Sequence, residues 1–157
     1  MMGSHHKSAL LIIPDRTILL TMIEKPESKN TDEINSKMIK RLTRFDSSWI
    51  KIITYDNGKE FAKHYEIAKL LNVKTYFTRP YTSQDKGTVE NRIGVIRRFF
   101  PKKTDLRKVS NKRVKEVGKL LSYRPISKFN YNNLIEELKT NLLHLWVELS
   151  YIVNRKK

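Results

Sequence analysis

The stretch WIKIITYDNGKEFAKHYEIAKLLNVKTYFTRPYTSQDKGTVENRIGVIRRFFPKK, Trp49–Lys103, decides how this chain folds. Ile50, Ile52, Ile53 and Tyr55 are strand formers, and Asp56-Asn57-Gly58 closes the run with turn residues. The spacing of Phe61, Tyr65, Ala68 and Leu71 predicts a helix, and Val73 to Thr78 is β-rich again, alternating at Val73, Thr75 and Phe77. Strand, helix, strand in that order predicts a parallel crossover unit. A polar turn follows, then a helix starting near Gly87-Thr88 that places Glu90, Gly94 and Arg97 on one face at about 3.6 residues per turn. Asp56 at a strand end and Glu90 in the first helical turns are two carboxylates brought on rigid elements from distant parts of the sequence.

Before this stretch, the apolar run up to Ile13 stops at Pro14-Asp15 and reads as a buried strand; Thr17 to Ile23 reads as its hairpin neighbour. Asn30 or Thr31 is placed to cap a helix whose stripe is Ile34, Met38, Leu42 and Phe45, with Asp32 and Glu33 favourably set in its first turn. After Glu90, Ile93, Ile96 and Phe100 are expected inward until Pro101 stops the helix. Ser110-Asn111 starts another helix, with Val114, Val117 and Leu121 apolar, which Tyr123-Arg124-Pro125 ends. In the last segment Leu134, Leu138, Leu142, Leu145, Leu149 and Ile152 recur by threes and fours, the spacing of a peripheral amphipathic helix; a read-through or frameshifted tail is the other reading.

Composition narrows the function. The chain has 157 residues, 39% hydrophobic, enough for one domain with a core. With no cysteine there is no disulfide scaffold, thiol nucleophile or thiolate zinc site, and four scattered histidines lack finger spacing, so oxygen ligands remain. No apolar run reaches membrane-spanning length, which predicts a cytoplasmic protein. The 32 Lys and Arg against 16 Asp and Glu give a net charge of +16, and Arg79–Lys128 alone carries a net +11. A polyanion is the economical partner for that field, since neutralising phosphates releases condensed counterions.

Three blocks occur in order: DNGKEFAKH (Asp56–His64), RPYTSQDKGTVENRIGVIRRFFPKKTDL (Arg79–Leu106) and YRP (Tyr123–Pro125), with thirty-three residues between Asp56 and Glu90. Together they resemble the catalytic core of bacterial transposases of the insertion-sequence-thirty family, relatives of retroviral integrase, over about His5 to Tyr131. The resemblance implies an α/β fold, a ribonuclease-H-like mixed sheet flanked by helices. It also implies an Asp, Asp, Glu triad holding two Mg²⁺ or Mn²⁺ ions, with Asp56 as its second Asp and Glu90 as its Glu. The first Asp is expected just ahead of the position of Met1, so the triad is incomplete in this chain and little or no strand transfer is expected from it alone. The expected division is a core-like domain over 1–130 and a divergent helical tail over 131–157.

The chemistry implied is Mg²⁺-dependent cleavage and strand transfer at insertion-sequence ends, for which carboxylates are suitable hard ligands. Taken singly, Asp56 is an ordinary turn former and Glu90 an ordinary partner of a helix N-terminus; the blocks around them favour metal ligation. Asn57 and Asn91 flank the acids and, with His64, are candidates to orient them. Lys86, Arg92, Arg97, Arg98, Lys102 and Lys103 are candidates for phosphate contacts, against a merely solvated basic face. Asp15, Arg16 and Glu60 are assigned structural roles. The expected partners are the element's ends and target DNA, in a nucleoid-associated bacterial protein for which a homo-oligomer is open. The competing reading is a non-catalytic basic DNA-binding remnant; an RNA-binding role would explain the charge and leave the acid blocks unexplained.

Overall fold

The computed structural model describes residues 9–79, 87–102, 104–125, 127, 130 and 143–150. β1 (Leu10–Pro14) is buried along its whole length and pairs antiparallel with β2 (Thr21–Glu24), Ile12 opposite Ile23. The turn between them is built by Asp15, whose Oδ2 accepts the N–H groups of Thr17 (2.8 Å) and Ile18 (2.6 Å), while its own N–H reaches the Leu20 carbonyl. Asp15 is fully buried, in the structural role its place at a strand end suggested.

α1 (Thr31–Leu42) starts at the Asn30 cap, whose side chain accepts from the Asp32 N–H, and buries Ile34, Met38 and Leu42. β3 (Ile50–Tyr55) follows, then a single 3-10 turn over Lys59–Phe61 and α2 (His64–Leu71). That turn breaks the helical phase assumed from Phe61 onward: Ile67 and Leu71 are buried, and Tyr65 is 59% exposed. Asn72, in the left-handed conformation at φ 51°, ends α2 with its N–H on the Ala68 carbonyl, as asparagine tolerates. β4 (Lys74–Phe77) returns parallel to β3, so the crossover unit is present.

α3 (Gly87–Ile96) begins where expected and ends earlier than Pro101, because the N–H groups of Arg98 and Phe99 already turn back to carbonyls three residues behind. α4 (Asn111–Tyr123) is capped by the Ser110 hydroxyl. α1 and α2 bury their apolar sides with Leu11, Ile13, Ile53 and Tyr55; α3 and α4 do so with Leu10, Ile12 and Ile23. The successive residues of β1 thus feed opposite faces of one sheet, the three-layer plan of helices on both sides.

One expectation is overturned. Leu143–Ser150 is a strand, β5, and not part of a peripheral helix. It runs parallel to β3 (Ile53 opposite Leu145, Tyr55 opposite Val147) and antiparallel to β1 (Ile12 opposite Glu148), giving the sheet order β2-β1-β5-β3-β4. The reason is that Leu143, Leu145, Val147 and Leu149 also alternate with period two, and the open slot between β1 and β3 selects that period. Among the described residues no helix is long and apolar enough to cross a membrane.

Candidate catalytic site

Asp56 directly follows β3, and three hydrogen bonds fix its surroundings. Its N–H donates to the Val147 carbonyl of β5 at 3.0 Å, and its own carbonyl accepts from the Gly58 N–H at 2.8 Å. The Thr78 hydroxyl, just beyond β4, donates to Asp56 Oδ1 at 3.2 Å. Asn57 closes the same corner, its Nδ2 donating to the Thr78 carbonyl at 2.6 Å, while the Thr78 N–H reaches the Tyr55 carbonyl at 2.9 Å. The ends of β3 and β4 are therefore tied together at the point where the acid leaves the sheet, which holds a carboxylate rigidly while leaving it half-exposed.

His64 lies behind this corner. Its ring stands edge-on to Phe77 at 4.7 Å between centroids and 5.9 Å from that of Tyr55, and its Nδ1 lies 3.2 Å from the Phe61 carbonyl. It supports the strand that carries Asp56 through an aromatic cluster. Glu60 sits in the 3-10 turn, where its carboxylate folds over Gly58 so closely that a Cβ there would meet it at 2.6 Å.

Glu90 is exposed in the first turn of α3, and its neighbour Val89 is fully buried with Leu10 and Ile12 on that face of the sheet. Val89 and Ile93 anchor the helix, which sets Glu90 on its outer side with exposed Asn91, Gly94 and Arg97. Arg98 and Lys102 are exposed as well; Lys86 and Lys103 lie outside the described residues. Arg92 differs: it is half-buried, its Nε has no partner among the described residues, and burial, with Arg124 nearby, lowers the pKa of its guanidinium.

Among the described residues, no three His, Asp or Glu side chains gather as a metal-binding group. A third acidic residue nevertheless enters by backbone position. Glu148 follows Val147, the residue that receives the Asp56 N–H, and is the register partner of Ile12, which shares a cluster with Val89. The helical reading of the tail hid it, and the period-two alternation of Leu143 to Leu149 was the signal that pointed to it.

No protein-family model matches the chain. It is 39% identical over 139 residues to the transposase for insertion sequence element IS4351 of Bacteroides fragilis, a match covering 88% of this chain and 42% of that protein. It is 32% identical over 118 residues to transposase InsI for insertion sequence element IS30A of Escherichia coli K12, covering 75% of this chain and 31% of that one. The chain thus spans well under half the length of these relatives. In structure it resembles the catalytic core domain of BIV integrase, with a TM-score of 0.60 at 13% identity, over 88% of this chain and 95% of that one. The fold is accordingly the ribonuclease-H-like α/β fold of a retroviral integrase core. Over the residues matched, this chain is homologous to part of the IS30-family and related insertion-sequence transposases.

Proposed function

We propose that the chain is part of a transposase core that cuts DNA at insertion-sequence ends and joins the 3′-hydroxyl to target DNA, with Mg²⁺ or Mn²⁺ held by Asp56 and Glu90. The observation that carries this reading is Asp56 itself, clamped at the end of a parallel strand in an integrase-type fold, with Glu90 on the helix that covers the other side of β1. The donor set suits such ions: hard carboxylate oxygens, in a chain without cysteine. When bound, two such ions help the attacking oxygen, the crowded phosphorus and the leaving oxygen together. The chain's own residues do the positioning. Thr78 fixes the rotation of the Asp56 carboxylate, Asn57 locks Thr78, and Arg97, Arg98 and Lys102 supply positive charge for phosphates.

Two carboxylates are a sparse set for two ions. Glu148, by residue type and backbone place, is our candidate for a third. Little strand transfer is expected of the chain alone if Glu148 fails in that role.

The test is Mn²⁺ titration followed by its electron paramagnetic signal, alongside a joining assay on duplex ends. Asp56→Asn and Glu90→Gln are each expected to weaken Mn²⁺ binding about 10-fold or more without lowering the melting temperature. Glu148→Gln is expected to do the same. Unchanged Mn²⁺ binding in both of the first two variants, with DNA binding retained, would replace this reading with that of a non-catalytic DNA-binding remnant.

A further inference from the structure

At the β2 edge of the sheet the two helical layers approach one another, and a groove runs between the end of α1 and the length of α4. One part of it, about 380 Å³, is walled by apolar groups that include Met22, Phe45 and the exposed Tyr123. Lys37, Lys40, Arg41, Arg44, Lys115 and Lys119 stand around it. In the adjoining part six cationic residues line the groove against one acid, Glu24.

Charged side chains along an edge strand can serve simply to discourage strand pairing. That account does not cover Arg41. Its side chain is 25% exposed, its Nε is buried without a partner among the described residues, and its ion pair with Glu24 is loose at 3.7 Å. Burial and the neighbouring Arg44 both disfavour its charge. A cation desolvated beside other cations costs free energy that an anion in the groove would recover. The apolar wall adds surface on which the sugar and base edges of a nucleic acid can rest, which an isolated inorganic ion would leave uncovered.

We propose that this groove is a second DNA-binding surface, gripping the phosphate backbone of a duplex away from Asp56. β2 and β3 are three strand positions apart, about 14 Å at the usual spacing between neighbouring strands, so the groove at the β2 edge is set apart from the strand that ends at Asp56. It engages DNA flanking the site of chemistry and works whether or not the acid pair holds metal.

The experiment is fluorescence anisotropy of a labelled duplex with the full chain at several salt concentrations. The groove variant is Arg44→Gln with Lys115→Gln and Lys119→Gln, all exposed. The control removes the same charge from exposed Lys51, Lys69 and Lys74 on the β3, α2 and β4 side. The groove variant should bind about 10-fold more weakly or worse, with the slope of log affinity against log salt reduced by about 2 to 3, and the control should stay within about 3-fold of the parent. Circular dichroism melting should be the same for all three. Equal losses in both variants would mean net charge alone matters and would overturn the proposal, as would an unchanged groove variant. Polyglutamate competing for the groove residues better than duplex would assign the groove to an acidic protein and overturn it too. An Asp56→Asn chain that keeps its Mn²⁺ affinity overturns the reading of the acid pair and leaves this one standing.

Discussion

The two halves of the sheet are assembled in different ways. β1 and β2 form a hairpin whose partners are seven residues apart at the turn, organised by a single buried carboxylate. β3 and β4 are joined by a helical crossover, and their ends are tied by Asn57 and Thr78. In the strand ladder the halves do not pair with each other; β5 lies between them and pairs with both. Each half is locally organised, and the fold as a whole depends on a strand that arrives from the far end of the chain. This matters for chemistry, because Asp56 belongs to one half, the anchor of Glu90's helix to the other, and β5 sets the distance between them.

Breaking β5 should therefore have the largest effect. Val147 is fully buried, and its carbonyl receives the Asp56 N–H. Val147→Asp places an unpaired charge in the middle of the sheet and is expected to cost about 4 kcal/mol or more, enough to unfold a domain of ordinary stability. Leu145→Ala, at 1% exposure, should cost about 2 to 5 kcal/mol and leave a measurable transition. Urea denaturation followed by far-ultraviolet circular dichroism reads both. If Val147→Asp unfolds with a parent-like midpoint, β5 does not hold the halves together.

Most of the sheet was legible because its signals are local. β3 is stopped by Asp-Asn-Gly, α1 is started by its Asn30 cap, and α4 starts at Ser110 and ends ahead of Pro125; each is a short-range choice that tertiary context confirms. The Asp56 corner was legible as a strand end, whereas Thr78 as its hydroxyl donor was not, since that contact spans 22 positions. β5 was illegible for a different reason. Its leucines fit periods of two and of three to four alike, and only a slot between two unpaired strand edges, which no local window contains, decides between them.

Within the hairpin half, Asp15→Ala should be the next largest effect. It leaves the N–H groups of Thr17 and Ile18 without the carboxylate that accepts them, at a site with no access to water for Ile18. The expected loss is about 2 to 3 kcal/mol, that of unpairing buried donors from a charged acceptor. Asp15→Asn, which keeps one acceptor oxygen, should recover part of it. Metal binding by the other half should be untouched as long as the variant is folded, which a titration below the unfolding midpoint checks. A loss of Mn²⁺ affinity in folded Asp15→Asn would mean that the halves are coupled more tightly than β5 alone explains.

The crossover half carries the opposite case, a buried polar group with no partner among the described residues. The Tyr55 ring lies in the cluster with Phe61, His64 and Phe77, and its hydroxyl is enclosed without a hydrogen bond. Tyr55→Phe removes a desolvated group and nothing that it bonds, so stability should stay level or rise by up to about 1 kcal/mol. The pH dependence sharpens this. Burial raises the phenol's pKa from its ordinary 10.0, so the protein favours the neutral form. A raised pKa gives stability that is fully present below the unfolded value and lost as pH climbs above it. The parent should therefore lose stability above pH 10 by a component that Tyr55→Phe lacks, and the two denaturation midpoints should diverge there. A Phe variant weaker by more than about 1 kcal/mol at neutral pH would mean that the hydroxyl is bonded after all, and the contrast with the satisfied Asp15 would disappear.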